Sequence, residues 1–331
     1  MPPPPEGIFF DSAGAIPITA PGVPQHSPVG VPLGSKDIIL LARRATIALA
    51  MGEVDEAPRI FSEAYYARLH DVERSHWYIA GMREVAETLL HAHGFRSCGL
   101  ALDAGCGTGG TLEWVGKRFP GSRPVGVDLT AEALGHAKRQ STFPVLRASV
   151  AHLPFRSSTF DLVLSFDVLQ HLPEATGDAR GALGEAARVL RPGGFLVVRA
   201  AAVRWGDLRG AASEDGYHRY RLAELTEEVQ AAGFTVLRAT PVNWLGSLVD
   251  DARRLLRPSH PAHGGDPGLT IRPASRGLLS ALKRLVMRGE ALYLRHLGDR
   301  LPRGHALLVL ATRDSRHPAP ESNELKARTE S

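Results

Sequence analysis

Residues 99–129 read GLALDAGCGTGGTLEWVGKRFPGSRPVGVDL. A short apolar run enters a glycine-rich turn, a segment with helical spacing follows, and a second apolar run ends at Asp128. Strand, turn, helix and strand in that order make the repeating unit of a parallel α/β sheet. Gly105, Gly107 and Gly109 let the backbone pass close to a ligand that any side chain would block. Asp128, at the end of the second strand, is placed to accept hydrogen bonds from two ribose hydroxyls. Gly105, Gly107 and Gly110 also satisfy GxGxxG, so the loop alone does not separate a nicotinamide dinucleotide from another nucleoside.

The same rhythm extends outward. PVLRAS (144–149), FDLVLSF (160–166) and GFLVVRA (194–200) are further apolar runs bounded by turn residues, with helical spacing at 112–119, 131–140 and 179–190 between them. Near-continuous apolar strands fit a mostly parallel sheet with helices on both faces. Toward the C-terminus come a helix (222–234), a strand (235–242), an irregular basic stretch, a helix (276–297) and a strand (305–313). Toward the N-terminus, residues 1–35 are a Pro/Gly-rich tail, 36–51 and 57–69 have helical spacing, and a helix opens at Ser75 as N-cap and stops at Gly94. The expected organisation is a tail (1–35), an N-terminal helical lid (36–74), one domain (75–313) with a basic helical region at 244–303, and a polar tail (314–331).

Composition narrows the function classes. Only two Cys occur in 331 residues, which excludes a disulfide scaffold, and Cys98 and Cys106 lack zinc-ligand spacing; no metal site is expected. No run of about 18 apolar residues is present, and no basic start precedes an apolar run, so a cytoplasmic protein is expected. The net charge is +4, but residues 252–303 hold eleven Lys and Arg against Asp266, Glu290 and Asp299. So local an excess, with no accompanying motif, argues against nucleic acid. It has three readings: a solvated helix face with Leu278, Leu282 and Leu285 packed inward, a wall for an anionic acceptor, or contact of 276–297 with an anionic membrane surface.

Asp103, two residues before Gly105, completes DxGxGxG, and with VGVDLT (125–130), ASVAHLPF (148–155), FDLVLSFDVLQHL (160–172) and VLRPGGFLVV (189–198) the chain resembles the class I S-adenosylmethionine-dependent methyltransferases. The last three segments are not shared with dinucleotide dehydrogenases. The resemblance covers about Ser75 to Arg313. It implies a seven-stranded, mostly parallel Rossmann-like sheet with an antiparallel last strand. It also implies methyl transfer from S-adenosylmethionine to a small-molecule acceptor, with O-methylation slightly favoured.

By the same resemblance Asp103, Ala104, Gly105, Gly107 and Gly109 line the methionine and ribose, Asp103 approaching the ammonium. Asp128 holds the ribose, Leu129 packs on adenine, Ser149 and Val150 read its edge, Phe166 lines the pocket, and Arg83 pairs with the cofactor carboxylate or lies exposed on its helix. Ser149 stands where the family usually has an acidic residue, and Gln170 where one is common. His171 is the candidate base, and Asp167 could orient the substrate. The cluster Tyr217, His218, Arg219 and Tyr220 is expected to pin the segment before the helix at 222–234. A cofactor-binding protein without turnover and a nicotinamide oxidoreductase are the alternatives. The oligomeric state is left open.

Overall fold

The computed structural model describes residues 62–73, 76–172, 178–203, 218–256 and 278–314. The Pro/Gly-rich tail, the helix expected at 36–51, most of the lid, Ser75, Tyr217 and nearly all of the C-terminal tail lie outside the described residues. In chain order the elements are α1 (Glu63–Glu73), α2 (Trp77–Ala92), β1 (Leu100–Ala104), α3 (Gly110–Arg118), β2 (Arg123–Asp128), α4 (Ala131–Gln140), β3 (Val145–Arg147) and β4 (Phe160–Phe166). Then follow α5 (Asp178–Val189), β5 (Leu190–Ala201), α6 (Leu222–Ala231), β6 (Phe234–Val242), α7 (Trp244–Leu256), α8 (Leu278–His296) and β7 (Ala306–Arg313).

The strands form one sheet in the order β3-β2-β1-β4-β5-β7-β6. β7 runs antiparallel to both β5 and β6, and the other pairs are parallel. Alternate side chains of a strand face opposite sides. Leu196, Val198 and Ala200 of β5 join Leu183 of α5 and Leu225 of α6 in one apolar cluster. Ala101, Leu162, Leu164 and Val197 face the other way, onto Met82, Val85 and Leu89 of α2 and Met287, Ala291 and Leu294 of α8. The strand order reverses between β1 and β4, which opens a crevice at their carboxyl ends where such sheets bind ligands.

Two expectations from the sequence need correction. Leu282 and Leu285 do not pack inward; they are 54% and 63% exposed, and α8 buries Met287, Ala291 and Leu294 instead. Both sets repeat at helical spacing, so α8 carries two apolar stripes, and α2 selects one of them. Gly81 makes the contact possible, since a Cβ there would lie 2.6 Å from Met287 Cγ. The stretch expected to be irregular contains α7. Its start is held from elsewhere: the buried Glu290 of α8 accepts the N–H groups of Asn243 (2.9 Å) and Leu245 (3.3 Å). A carboxylate also suits the positive end of a helix. A cap supplied 45 residues away leaves no local signal.

Glu290→Ala is therefore expected to lower stability by about 1–3 kcal/mol, because buried N–H groups lose their acceptor, with Glu290→Gln intermediate. Urea unfolding of the three proteins checks this, and equal midpoints would contradict the capping role.

Candidate functional site

The alternation that sorts the core also builds the site. Asp103 shares its side of β1 with Ala101, and Arg199 shares its side of β5 with Val197, so both face α2 at the carboxyl edge. The glycine loop is anchored by Gly105 N and Cys106 N, which both donate to Val127 O at 2.8 Å. Its glycines have positive φ at 105, 107 and 109 (90°, 51° and 88°) but serve different ends. A Cβ on Gly105 would lie 2.2 Å from Val168 Cγ2, so this glycine is required by packing against the loop after β4. Gly107 has nothing nearer than Leu69 Cδ2 at 3.8 Å, which leaves its face of the loop open.

Asp128 spends most of its hydrogen-bonding capacity inside the protein. Oδ2 accepts from Gly107 N at 2.9 Å, and Oδ1 from Thr130 N at 3.0 Å and Thr130 Oγ1 at 2.9 Å. The backbone of Leu129 contributes a further hydrogen bond, so the carboxylate's roughly four acceptor positions are engaged within the protein, where two ribose hydroxyls were expected. Thr130 Oγ1 also lies 2.9 Å from the hydroxyl of Tyr66, which ties α1 to the end of β2. Leu129 is 47% exposed beside this carboxylate. Ser149 Oγ accepts from Ala151 N at 3.2 Å, while Ala104 and Val150 are buried.

A buried charge cluster fills the space between the glycine loop and α2. Glu73, the last residue of α1, accepts from the Arg83 guanidinium, from Thr108 Oγ1 and from Gly110 N (3.2 Å) at the start of α3. Arg83 also donates to Thr111 Oγ1 at 3.2 Å. Its exposure is 8%, which rules out an exposed helix arginine, but its partner here is Glu73. Asp103 lies against this cluster with 3% exposure, and its Oδ2 is buried without a hydrogen-bond partner, as is Arg83 Nε. Burial, reinforced by the charge of Glu73 and opposed by Arg83, pushes the Asp103 carboxyl up to about 8.

At the end of β4, Asp167 adopts φ 60°, a left-handed conformation uncommon outside glycine. It accepts from Arg199 Nε at 3.0 Å and from Nη2, while the Arg199 guanidinium sits 4.9 Å from the centroid of the Phe166 ring. His171 follows on a 3₁₀ turn (Leu169–His171), and burial pushes its imidazole down to about 4. Gln170 is a staple: its Oε1 accepts from Ala201 N, and its carbonyl from His218 N, both at 2.8 Å. The pinning expected of the 217–220 cluster is visible in His218 Nε2, 2.7 Å from Glu224 Oε1, and in Tyr220 N, which donates to Ala201 O at 2.9 Å.

The structure thus brings Asp103, the glycine loop, Asp128 and Arg83 together, with Phe166 and Asp167 at the neighbouring strand end. Glu73 and Arg199 were missed in the sequence. The signal for Arg199 was available: a lone arginine in the apolar strand FLVVRAA falls on the α2-facing side by its parity. Among the described residues no group of three or more His, Cys, Asp or Glu is arranged to hold a metal. Both cysteines are buried and free.

Residues 102–198 match a protein-family model described as a methyltransferase domain. The chain is 36% identical over 125 residues to the malonyl-[acyl-carrier protein] O-methyltransferase of Dechloromonas aromatica (strain RCB), covering 37% of this chain and 44% of that protein. It is 32% identical over 148 residues to the isonocardicin synthase of Nocardia uniformis subsp. tsuyamanensis, covering 40% and 46%. The chain thus spans less than half the length of these curated relatives. In fold it is similar to the Haemonchus contortus phosphoethanolamine N-methyltransferase 2 solved with S-adenosyl-L-methionine (TM-score 0.51, 16% identity, 78% of this chain and 58% of that one).

The Asp103 carboxyl has a testable consequence. Held up at about 8, it keeps a proton that the unfolded chain has already lost above its ordinary value of 3.8. Its contribution to stability is full below about 4 and is lost as pH rises through about 8. Asp103→Asn, neutral throughout, should gain thermal stability relative to wild type as pH rises from about 5 to about 8.5. Paired melting curves measure the difference, and a difference independent of pH would contradict the assignment.

Proposed function

We propose that this chain, which carries a class I S-adenosylmethionine-dependent methyltransferase domain, transfers the methyl group of that cofactor to a small-molecule acceptor, with oxygen the favoured receiving atom. The observation that carries this reading is the unpartnered Asp103 Oδ2, buried beside Arg83 and under the glycine loop. A buried carboxylate facing a ligand calls for a cation, and a nearby guanidinium for an anion. The amino-acid end of S-adenosylmethionine offers both, an ammonium for Asp103 and a carboxylate for Arg83. A dinucleotide would instead bring its pyrophosphate to the helix start where Glu73 already holds Gly110 N. Like charges there disfavour the nicotinamide alternative.

The residues fit the cofactor along its length. Asp128 would take a ribose hydroxyl in exchange for one of its internal donors, exposed Leu129 offers an apolar surface to adenine, and Ser149 and Val150 would read the edge of the base. The open face of Gly107 leaves room beneath the ribose. When bound, the cofactor supplies a methyl already activated on a sulfonium. What remains for the chain is to hold the acceptor in line and exclude water, which suits a site covered by α1 and α2. His171 and Asp167 lie at the end of β4 where an acceptor would sit. With His171 at about 4 and Asp167 in an ion pair, the reading does not depend on either as a base. The O-methyltransferase among the relatives supports oxygen as the receiving atom.

The second stripe of α8 supports a peripheral contact with an anionic bilayer. Leu282, Leu285, Leu292 and Leu297 are exposed, and Arg284, Arg288 and Arg295 flank them. No described helix is long and apolar enough to cross a membrane. Apolar insertion with arginines at headgroup level is how such a helix binds a surface. Co-sedimentation with phosphatidylserine vesicles should fall on Leu282→Glu/Leu285→Glu substitution, and wild type that stays in the supernatant at low salt would refute the contact.

The main reading is tested by calorimetry with S-adenosylhomocysteine and NADH. Only the former should bind, and Asp128→Ala should weaken it by about 1–3 kcal/mol. NADH binding without S-adenosylhomocysteine binding would overturn the reading.

A further inference from the structure

We infer that the acceptor presents a carboxylate and that Arg199 is the residue that selects it, an inference that rests on the methyltransferase reading above. Arg199 is the buried cation at the carboxyl end of β5, its side chain 7% exposed. Asp167 takes its Nε and Nη2, and the ring of Phe166 lies under the guanidinium. Nη1 is buried and has no hydrogen-bond partner. Leaving such a donor unmet costs more than an ordinary hydrogen bond returns. The left-handed backbone of Asp167 is a further cost, and conformations of this kind cluster at functional sites. Both costs fall on one pair, at the carboxyl ends of β4 and β5.

Its place relative to the cofactor residues follows from the register. Asp103 pairs with Leu164, and Phe166 pairs with Arg199, so Arg199 stands two strands over from Asp103, on the order of 10 Å away. Its charge acts on Arg83 and Asp103, and Tyr78 of α2 acts on it in turn. Arg199 therefore bounds the same chamber on the side away from the glycine loop. A guanidinium held along its Nε/Nη2 edge by Asp167 leaves Nη1 to donate in a set direction, which suits a planar carboxylate.

The chemistry agrees. A hydroxyl or amine must give up a proton on methylation, yet Asp167 is tied to Arg199 and His171 is too weak a base at neutral pH. A carboxylate needs no base. A lone pair on its oxygen forms the new O–C bond to the sulfonium methyl, the S–C bond breaks, and its electron pair stays on sulfur as a neutral thioether. The products are a methyl ester and S-adenosylhomocysteine, with no proton gained or lost.

The test titrates the full chain, saturated with S-adenosylhomocysteine, with benzoate and with benzamide, which has the same shape without the charge. Benzoate should bind at least about tenfold more tightly. Arg199→Met should abolish that preference, and Arg199→Lys, which keeps Asp167 paired but loses the fork, should recover only part of it. Arg199→Lys, which keeps the charge that acts on Arg83 and Asp103, should keep its affinity for S-adenosylhomocysteine within about threefold. Equal binding of the two probes, no binding of benzoate, or a full preference in Arg199→Met or Arg199→Lys would overturn the proposal. A chain that does not bind S-adenosylhomocysteine at all would instead overturn the methyltransferase reading, so the two failures are distinct.

Discussion

A carboxylate buried without its counter-charge organises this site. Asp103 is buried near the carboxyl end of β1, pressed by Glu73 and only partly relieved by Arg83, with one oxygen unmatched. Isolated buried charges are too costly to persist ionised, so the group holds a proton until a cation arrives. The surrounding features make sense as its frame. The glycine loop bends back over β1, α1 closes on that loop through Tyr66 and Glu73, and α2 brings Arg83 across the top. The start of α3 is guarded by charge as well as shape, because Glu73 already accepts from Gly110 N there and repels a second anion.

Two buried ion pairs flank this vacancy in charge, Glu73–Arg83 on the loop side and Asp167–Arg199 on the strand side. Neither needs to be a large source of stability, since desolvation offsets most of the attraction between buried ions. Their value lies in geometry: each fixes a guanidinium that keeps one buried nitrogen without a partner, Nε of Arg83 and Nη1 of Arg199. The strained backbone at Asp167 and the staple made by Gln170 hold the strand ends that carry this arrangement.

The sheet was legible because its signal is local. FDLVLSF reads as a strand from its own residues and forms β4 over the same seven positions. Asp103, Gly107 and Asp128 were legible because glycine and carboxylate at fixed spacing imply a close-approach loop. What stayed hidden depends on distant partners. The start of α7 is capped by Glu290, the inward stripe of α8 is chosen by Gly81 and Met287, and Gly105 is required by Val168. Glu73 lies beyond the helix expected at 57–69 and carries no local signal; the fold sets it on Thr108 and Gly110. Ser149 and Gln170, which depart from the family pattern, are both engaged with nearby backbone, which makes them parts of the frame.

The central claim is that the charge vacancy at Asp103 is filled by the cofactor's ammonium. The most direct measurement is the proton count on binding S-adenosylhomocysteine, obtained by calorimetry at pH 7 in buffers of different ionisation enthalpy. A carboxyl at about 8 that ionises on meeting the ammonium should release most of one proton, and Asp103→Asn should release none. Binding by wild type with no proton release, or with the same release in Asp103→Asn, would contradict the account.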